Sequence, residues 1–320
     1  MHATPQRVRF EEPASLPSLQ AVSAGPKLSQ RMLRLLRLLR SSFWRAFVHD
    51  AFAIAKASAY SSILTFFPVL FIVGSGLASW RKGAPYLREI SYALGSILPA
   101  GTNTALNYLK TSAKHPVGFL LTTAVVTLWT ASGVMISWME GFRRCYELPK
   151  TWGLVKERMI AFLLVIFALV PMTFATLLVA VGSKFETRML SYMDPDFSAY
   201  LLLLWGVARW GIATLTSISV IALIYHHAVP RTQPWHSVLP GAVLATITWF
   251  TVTVGFRAYL QHFGDFTTIY GSLGASMALL VWMYLISLMV LVGAEFNALL
   301  FPRAMLGKEL TAVNSAKVQN

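Results

Sequence analysis

The chain has 320 residues, of which 56% are hydrophobic and only 12% are charged. Soluble domains carry about 25% charged residues, so this composition excludes an ordinary soluble globular protein. The formal net charge of +14 would suit nucleic acid or another anionic partner. In a membrane protein, however, basic residues gather in the cytoplasmic segments. We therefore favour an integral membrane protein over a nucleic-acid-binding protein.

The first 50 residues divide into two segments. Residues 1–30 are polar and contain four prolines, which predicts a disordered tail. Between 31 and 50 an arginine recurs at every third position among leucines, at Arg31, Arg34, Arg37 and Arg40. This spacing predicts a basic amphipathic cytoplasmic helix, which either lies on an anionic leaflet or extends the first membrane-spanning helix.

Six apolar blocks follow, each with the roughly 20 residues needed to cross a hydrocarbon core of about 30 Å. They lie at 56–80, 117–140, 158–182, 200–226, 236–261 and 270–301. The predicted fold class is therefore all-α, a polytopic membrane protein whose six transmembrane helices occupy a domain at 51–302. Pro68 and Pro171 lie inside the first and third blocks, where neighbouring helices can accommodate them, and they predict kinks.

One connection, 81–116, is long. Leu87, Ile90 and Leu94 fall at helical spacing, and Pro99-Ala100-Gly101 interrupts the pattern. We expect a helical hairpin on the outer face, with a re-entrant segment as the alternative.

The distribution of lysine and arginine predicts the orientation. If the N-terminus is cytoplasmic, the inner segments hold 18 basic residues and the outer segments hold 7. This bias favours cytoplasmic termini, including a C-terminal tail at 303–320.

Ionisable side chains inside a bilayer are costly and usually face the bundle interior or a wet cavity. An inner group is predicted from Glu140 and Glu295, with Lys56, Arg143, Arg144, His226 and His227. It is interpreted either as a gate or head-group site, or as structural pairing at the interface. Asn297 is expected to face a different side of its helix from Glu295.

An outer group is predicted from Arg209, Arg257 and Asp265. The two arginines either pair with the aspartate or contact a phosphate-bearing substrate, which suits the guanidinium group. Tyr60 belongs to a polar stretch of the first span, which we expect to face the bundle centre.

Three stretches carry a family resemblance. The last span reads YGSLGASMALLVWMYLISLMVLVGAEFNALL, the first contains AYSSILTFFPVLFIV, and the fifth begins with a PW-x-x-x-LPGA pattern. The motif residues are Tyr270, Gly271, Gly274, Gly293, Glu295, Asn297, Pro68, Pro240 and Gly241. Over about residues 45–302 the chain resembles the YihY/virulence factor BrkB family of bacterial inner-membrane proteins.

The resemblance implies six membrane helices and a link to serum resistance or to export of envelope lipid or lipopolysaccharide. Some members carry an old ribonuclease BN label. A metal-dependent nuclease needs clustered ligands, and the seven histidines form no H-x-H-x-D-H pattern. We therefore expect neither an enzyme nor a metal or cofactor site.

The leading hypothesis is transport of an anionic amphiphilic envelope molecule, with membrane lipids as partners. The alternative is a non-transporting protein that docks on other envelope proteins. The oligomeric state is left open. If transport is correct, neutral replacement of Arg209 or Arg257 is expected to abolish a transport phenotype without affecting membrane insertion. If only changes in 81–116 matter, docking is favoured instead.

Overall fold

The computed structural model describes residues 28–79, 117–190, 195–230, 233–262 and 272–302. Within these ranges the chain forms seven α-helices and no strands. They are α1 (Leu28–Val48), α2 (Ala51–Ser79), α3 (Val117–Cys145), α4 (Leu154–Leu190), α5 (Pro195–His227), α6 (Trp235–His262) and α7 (Ser272–Leu300). The predicted hairpin at 81–116, the tail at 303–320 and the site residues Asp265, Tyr270 and Gly271 lie outside the described residues, as does most of the tail at 1–30.

Six of these helices, α2 to α7, are long and apolar enough to cross a membrane. The predicted all-α fold with six spans is therefore confirmed. Several helices extend beyond the apolar blocks, because a helix can continue into the head-group layer after its apolar stretch ends. The extension that matters most is at α4, which begins at Leu154 rather than at 158. The helices continue through Pro68 and Pro171, and the kinks stay a prediction.

The six membrane helices form a closed ring. Consecutive helices from α2 to α7 are neighbours, and the packing of α7 against α2 closes the ring. In detail, α2 contacts α3, α3 contacts α4, α4 contacts α5, α5 contacts α6, and α6 contacts α7. Helix α7 additionally touches α1 and α3. It is the most buried span, with a continuous buried stretch from Ser287 to Ala298.

A sharp turn separates α1 from α2. Asp50 adopts a left-handed backbone conformation, with φ of 58°, and its N–H donates to the Phe47 carbonyl at 3.3 Å. The Asp50 carbonyl then accepts the N–H of Ile54, which starts α2. Helix α1 is therefore a separate helix and does not extend the first span.

Helices α6 and α7 approach each other at their glycines. A methyl group on Gly241 would collide with the Gly293 carbonyl and the Asn297 amide. Asn297 clamps the start of α6, because its Oδ1 accepts the Gly241 N–H at 2.6 Å and its Nδ2 donates to the Val238 carbonyl at 3.0 Å. This clamp lies next to Pro240, which has no N–H to offer the helix.

The inward side of α2 consists mostly of small residues, among them Ala51, Ala55 and Ser58. Ser58 shares a buried hydrogen bond of 2.8 Å with Ser287 of α7. The expectation for Tyr60 is wrong, because this side chain is 62% exposed. The buried positions 51, 54, 55, 58 and 59 recur every three or four residues and so share one face of α2, and position 60 falls outside this face.

Candidate functional site

A carboxylate buried near the end of α7 is bound by two basic residues, one in the last turn of α1 and one directly after it. The Glu295 side chain has no solvent exposure. Its Oε1 lies 2.5 Å from His49 Nδ1, and its Oε2 lies 3.4 Å from Arg45 Nε. We call Glu295, His49 and Arg45 the Glu295 clasp.

The helical periodicity of α1 explains the clasp. His49 directly follows α1, and its N–H still donates to the Arg45 carbonyl at 2.8 Å, so the two side chains, four residues apart, lie on one face of this helical turn. Ser42 and Ala46 are buried on that side of α1, which packs against α7. Among the described residues Glu295 Oε2 makes no hydrogen bond, and the cation that lies beside it is Arg45.

A second group of charges lies on α3 at the same end of the bundle. Glu140 forms ion pairs with Arg143 and with Arg144, the latter at 3.0 Å. Arg144 also reaches Asp50 at 2.7 Å, so this group ties α3 to the turn between α1 and α2. Glu140 and Glu295, predicted to share one group, therefore bind different partners.

The end of α3 contributes a further tie to α1. Its last turn closes with N–H groups of Glu147 and Leu148 donating to the carbonyls of Arg144 and Arg143, the two bonds of a Schellman motif. Glu147 takes the left-handed conformation, with φ of 52°, and its carboxylate lies 3.1 Å from Arg45. Burial raises the pKa of the adjacent Tyr146 phenol well above its ordinary value, so this side chain stays neutral.

A cleft of about 760 Å³ lies on the surface of α3, between α2 and α4. We call it the α3 cleft. Its walls are mostly apolar and include Trp129, Met159 and Phe162. Since Trp129 and Met159 are exposed, the cleft opens sideways on the bundle surface. Charged residues at the cleft are Glu140, Lys150, Glu157 and Arg158.

Arg158 is the cation of the α3 cleft that has no carboxylate partner. Its guanidinium carbon sits 3.9 Å from the centre of the Trp129 ring, and Nη2 donates to the Trp129 carbonyl at 3.2 Å. Its Nε is buried without a hydrogen bond, and among the described residues no acid forms an ion pair with it. Lys150, by contrast, lies 3.7 Å from Glu157.

The other predicted site residues lie elsewhere. Arg209 is half-buried on α5, and Arg257 and Lys56 are exposed on α6 and α2. His226 stacks on Trp235 with ring centres 4.3 Å apart. Asn297 faces α6 while Glu295 faces α1, so the two occupy different sides of α7.

Sequence reasoning missed Arg158, Arg45 and His49. It placed Arg158 at the boundary of the third span, although the run KERM inside a helix could have drawn attention to it. Arg45 and His49 differ from the arginine series by falling four residues apart, which is a weak signal. No pattern along the chain connects them with Glu295.

Among the described residues, no three His, Cys, Asp or Glu side chains gather as metal ligands would. Cys145, the single cysteine in the sequence, is buried. The arrangement can thus bind anions and hold helices together through charge.

Comparison with known proteins places this architecture in a family. The family model described as "Virulence factor BrkB" matches residues 43–316. A putative ribonuclease-like protein, YfkH of Bacillus subtilis, is 26% identical over 86% of this chain and 98% of its own length. A UPF0761 membrane protein of Tolumonas auensis is 27% identical over 82% of this chain and 85% of its own length.

A UPF0761 membrane protein of Pseudoalteromonas translucida is 26% identical over 76% of this chain and 79% of its own length. No solved structure matches the chain. The family model covers most of the sequence, and the structure has the six apolar helices of a multi-pass membrane protein. The chain belongs to the virulence factor BrkB family.

Proposed function

We propose that this protein moves an anionic amphiphile of the envelope, related to lipid or lipopolysaccharide, across the bacterial inner membrane. In this proposal both termini are cytoplasmic and the α3 cleft is the path of the amphiphile. The observation that carries the proposal is Arg158, a cation of the α3 cleft that pairs with no acid among the described residues.

The depth of Arg158 follows from its contact with Trp129. Trp129 lies 12 residues after the start of α3 and 16 before its end, or about 18 and 24 Å along the axis. The guanidinium therefore lies beside the middle of α3, although the Arg158 backbone is only four residues into α4. An ionisable side chain that reaches this far along a membrane-spanning helix is expensive, and by default it indicates a function.

The unsatisfied hydrogen-bond donor of Arg158 indicates the chemical class of the ligand. Its ring contact with Trp129 is worth about 0.5–2 kcal/mol, and the Trp129 carbonyl accepts a hydrogen bond from Nη2. The buried Nε still has no acceptor, and a buried unpaired donor costs about 1–3 kcal/mol. A phosphate or carboxylate head group would supply both the acceptor and the negative charge.

The shape of the α3 cleft suits the rest of an amphiphile. Apolar side chains at Leu154, Met159 and Phe162 line it beside Arg158, and its open side would face lipid acyl chains. An amphiphile could therefore enter laterally, keep its chains in the bilayer and pass its head group along α3. The cleft volume of about 760 Å³ falls within the usual range of about 300–1,000 Å³ for small-molecule sites.

The experiment is a flipping assay in proteoliposomes that contain fluorescent phosphatidylglycerol, fluorescent phosphatidic acid or fluorescent lipid A. The wild type is expected to move at least one probe faster than protein-free vesicles do. Arg158→Gln should reduce that rate by at least about tenfold, which corresponds to losing one charged hydrogen bond of about 1.5–3 kcal/mol. Arg158→Lys should keep part of the activity, because it retains the charge but not the fork geometry.

Lys156→Gln is the matched control. Lys156 is an exposed cation two residues away, 5.9 Å from the centre of the Trp152 ring. Its replacement removes the same charge and should leave the rate unchanged. If the wild type moves none of the three probes, or if both glutamine variants behave alike, transport through the α3 cleft is rejected.

The proposal describes a protein that is not an enzyme and does not bind nucleic acid. The Bacillus subtilis relative is named ribonuclease-like, whereas the Tolumonas and Pseudoalteromonas relatives are named membrane proteins. The sequence offers no local cluster of histidines and aspartates for metal-dependent hydrolysis. Membrane lipid is the partner that the α3 cleft fits.

A further inference from the structure

We propose that α1 is a docking helix that binds the anionic phospholipid head groups of the leaflet at its end of the bundle. This site is separate from the α3 cleft and does not depend on transport. It uses the face of α1 that points away from the bundle, together with the groove between α1 and α2.

The outward face of α1 is rich in large apolar side chains. Ser42 and Ala46 are buried against the bundle, and the opposite side exposes Leu36, Phe43 and Phe47. Trp44 is 69% exposed on this side. An aqueous surface would leave this apolar area in water, whereas a membrane interface would bury it.

Arginines stand among these apolar residues. Arg34, Arg37 and Arg40 are all exposed, and among the described residues no acid pairs with any of them. Arg37 makes one bond, from Nε to the Leu33 carbonyl of its own helix at 3.3 Å. The face therefore carries uncompensated positive charge, which complements an anionic leaflet.

The groove between α1 and α2 has room for a head group. It measures about 790 Å³ and is bordered by Arg40, Trp44 and Phe52. Trp44 stacks on Phe47 with ring centres 6.0 Å apart, and Phe47 meets the edge of Phe52 at 5.9 Å. Aromatic rings beside an arginine are the side chains that favour the head-group layer.

The position of α1 selects a lipid surface rather than a soluble partner. The first membrane span begins at Ala51, directly after the turn at Asp50, so α1 leaves the bundle at the membrane boundary. The Glu295 clasp then holds α1 against the end of α7. A helix fixed at this level presents its free face to the head-group layer.

Site-specific fluorescence tests the proposal in the full-length protein. Phe47→Cys is labelled with a small environment-sensitive dye and reconstituted in vesicles of phosphatidylcholine, with or without phosphatidylglycerol. Brominated lipids then quench dyes that enter the membrane. With phosphatidylglycerol we expect a blue-shifted emission and strong quenching, and we expect both to weaken in pure phosphatidylcholine or at high salt.

Two controls make the test decisive. A dye at Thr151→Cys, in the exposed connection between α3 and α4, should stay unquenched in both vesicle types. The unlabelled Cys145 is buried, and labelling of the wild type measures its background. In Phe47→Cys, the added changes Arg34→Gln, Arg37→Gln and Arg40→Gln should abolish the difference between the two vesicle types.

The proposal is overturned if the dye at position 47 stays in water in anionic vesicles. It is equally overturned if the quenching is the same in both vesicle types, since burial would then not depend on anionic head groups. Circular dichroism of each variant shows whether its helices are intact. A flipping rate unaffected by the three glutamine changes would show that docking and transport are separable.

Discussion

Removing both bases of the Glu295 clasp is expected to destabilise the protein strongly. The double variant Arg45→Met/His49→Leu leaves the Glu295 carboxylate fully buried with neither of its bases. Breaking a buried ion pair from one side costs about 3–5 kcal/mol, because a buried charge is left uncompensated. The loss should appear in the free energy of unfolding, measured by denaturant titration in detergent micelles.

The physical cause can be tested by removing the charge as well. Adding Glu295→Met to the double variant replaces the whole ion group with apolar side chains, an exchange that is often neutral or stabilising. The triple variant should therefore recover most of the lost stability, although it carries one more mutation. If the triple variant is no more stable than the double, the buried charge does not explain the effect.

The second large effect is expected at Gly241, where α6 meets α7. In Gly241→Ala the new methyl group would collide with a backbone carbonyl, that of Gly293, and a backbone atom cannot move aside as a side-chain end can. Overpacking of this kind costs about 1–3 kcal/mol. The same change would also disturb the Asn297 clamp on the Gly241 N–H. Thermal unfolding in micelles measures the loss.

Gly255→Ala provides the comparison within α6. A methyl group on Gly255 would meet nothing within 4 Å, and alanine is a better helix former than glycine by about 1 kcal/mol. This variant should therefore keep or raise the stability while Gly241→Ala lowers it. Equal effects of the two changes would show that helix propensity, rather than the close approach of α6 and α7, decides the outcome.

Much of the fold is predictable because crossing a membrane depends on local sequence. An apolar block of sufficient length must form a helix in lipid, since no water is present to satisfy its backbone groups. The six blocks therefore correspond to α2–α7. Gly241 and Asn297 belong to the sequence motif that carries the family resemblance, as does Pro240. The structure shows that Gly241 and Asn297 meet where α6 packs against α7.

Side-chain partners could not be predicted in the same way. Glu295 was selected as a buried acid from the sequence, but His49, its partner, is 246 positions away. The polar residues around Tyr60 predict that this stretch faces the bundle centre. In the structure the inner face of α2 is occupied mostly by small residues, and Tyr60 is exposed. Arg158 could not be selected from the sequence, because its contact with Trp129 forms only where α4 packs against α3.

By itself, the sequence determined the helical class, the number of spans and the resemblance to a family, because these depend on composition and on motifs read within single segments. Tertiary structure alone decided which basic residues meet Glu295, where the α3 cleft opens and that Arg158 lies in this cleft beside Trp129. The physical reason is that a charge finds its partner across a helix interface, and that interface is determined by close packing between segments far apart in the chain.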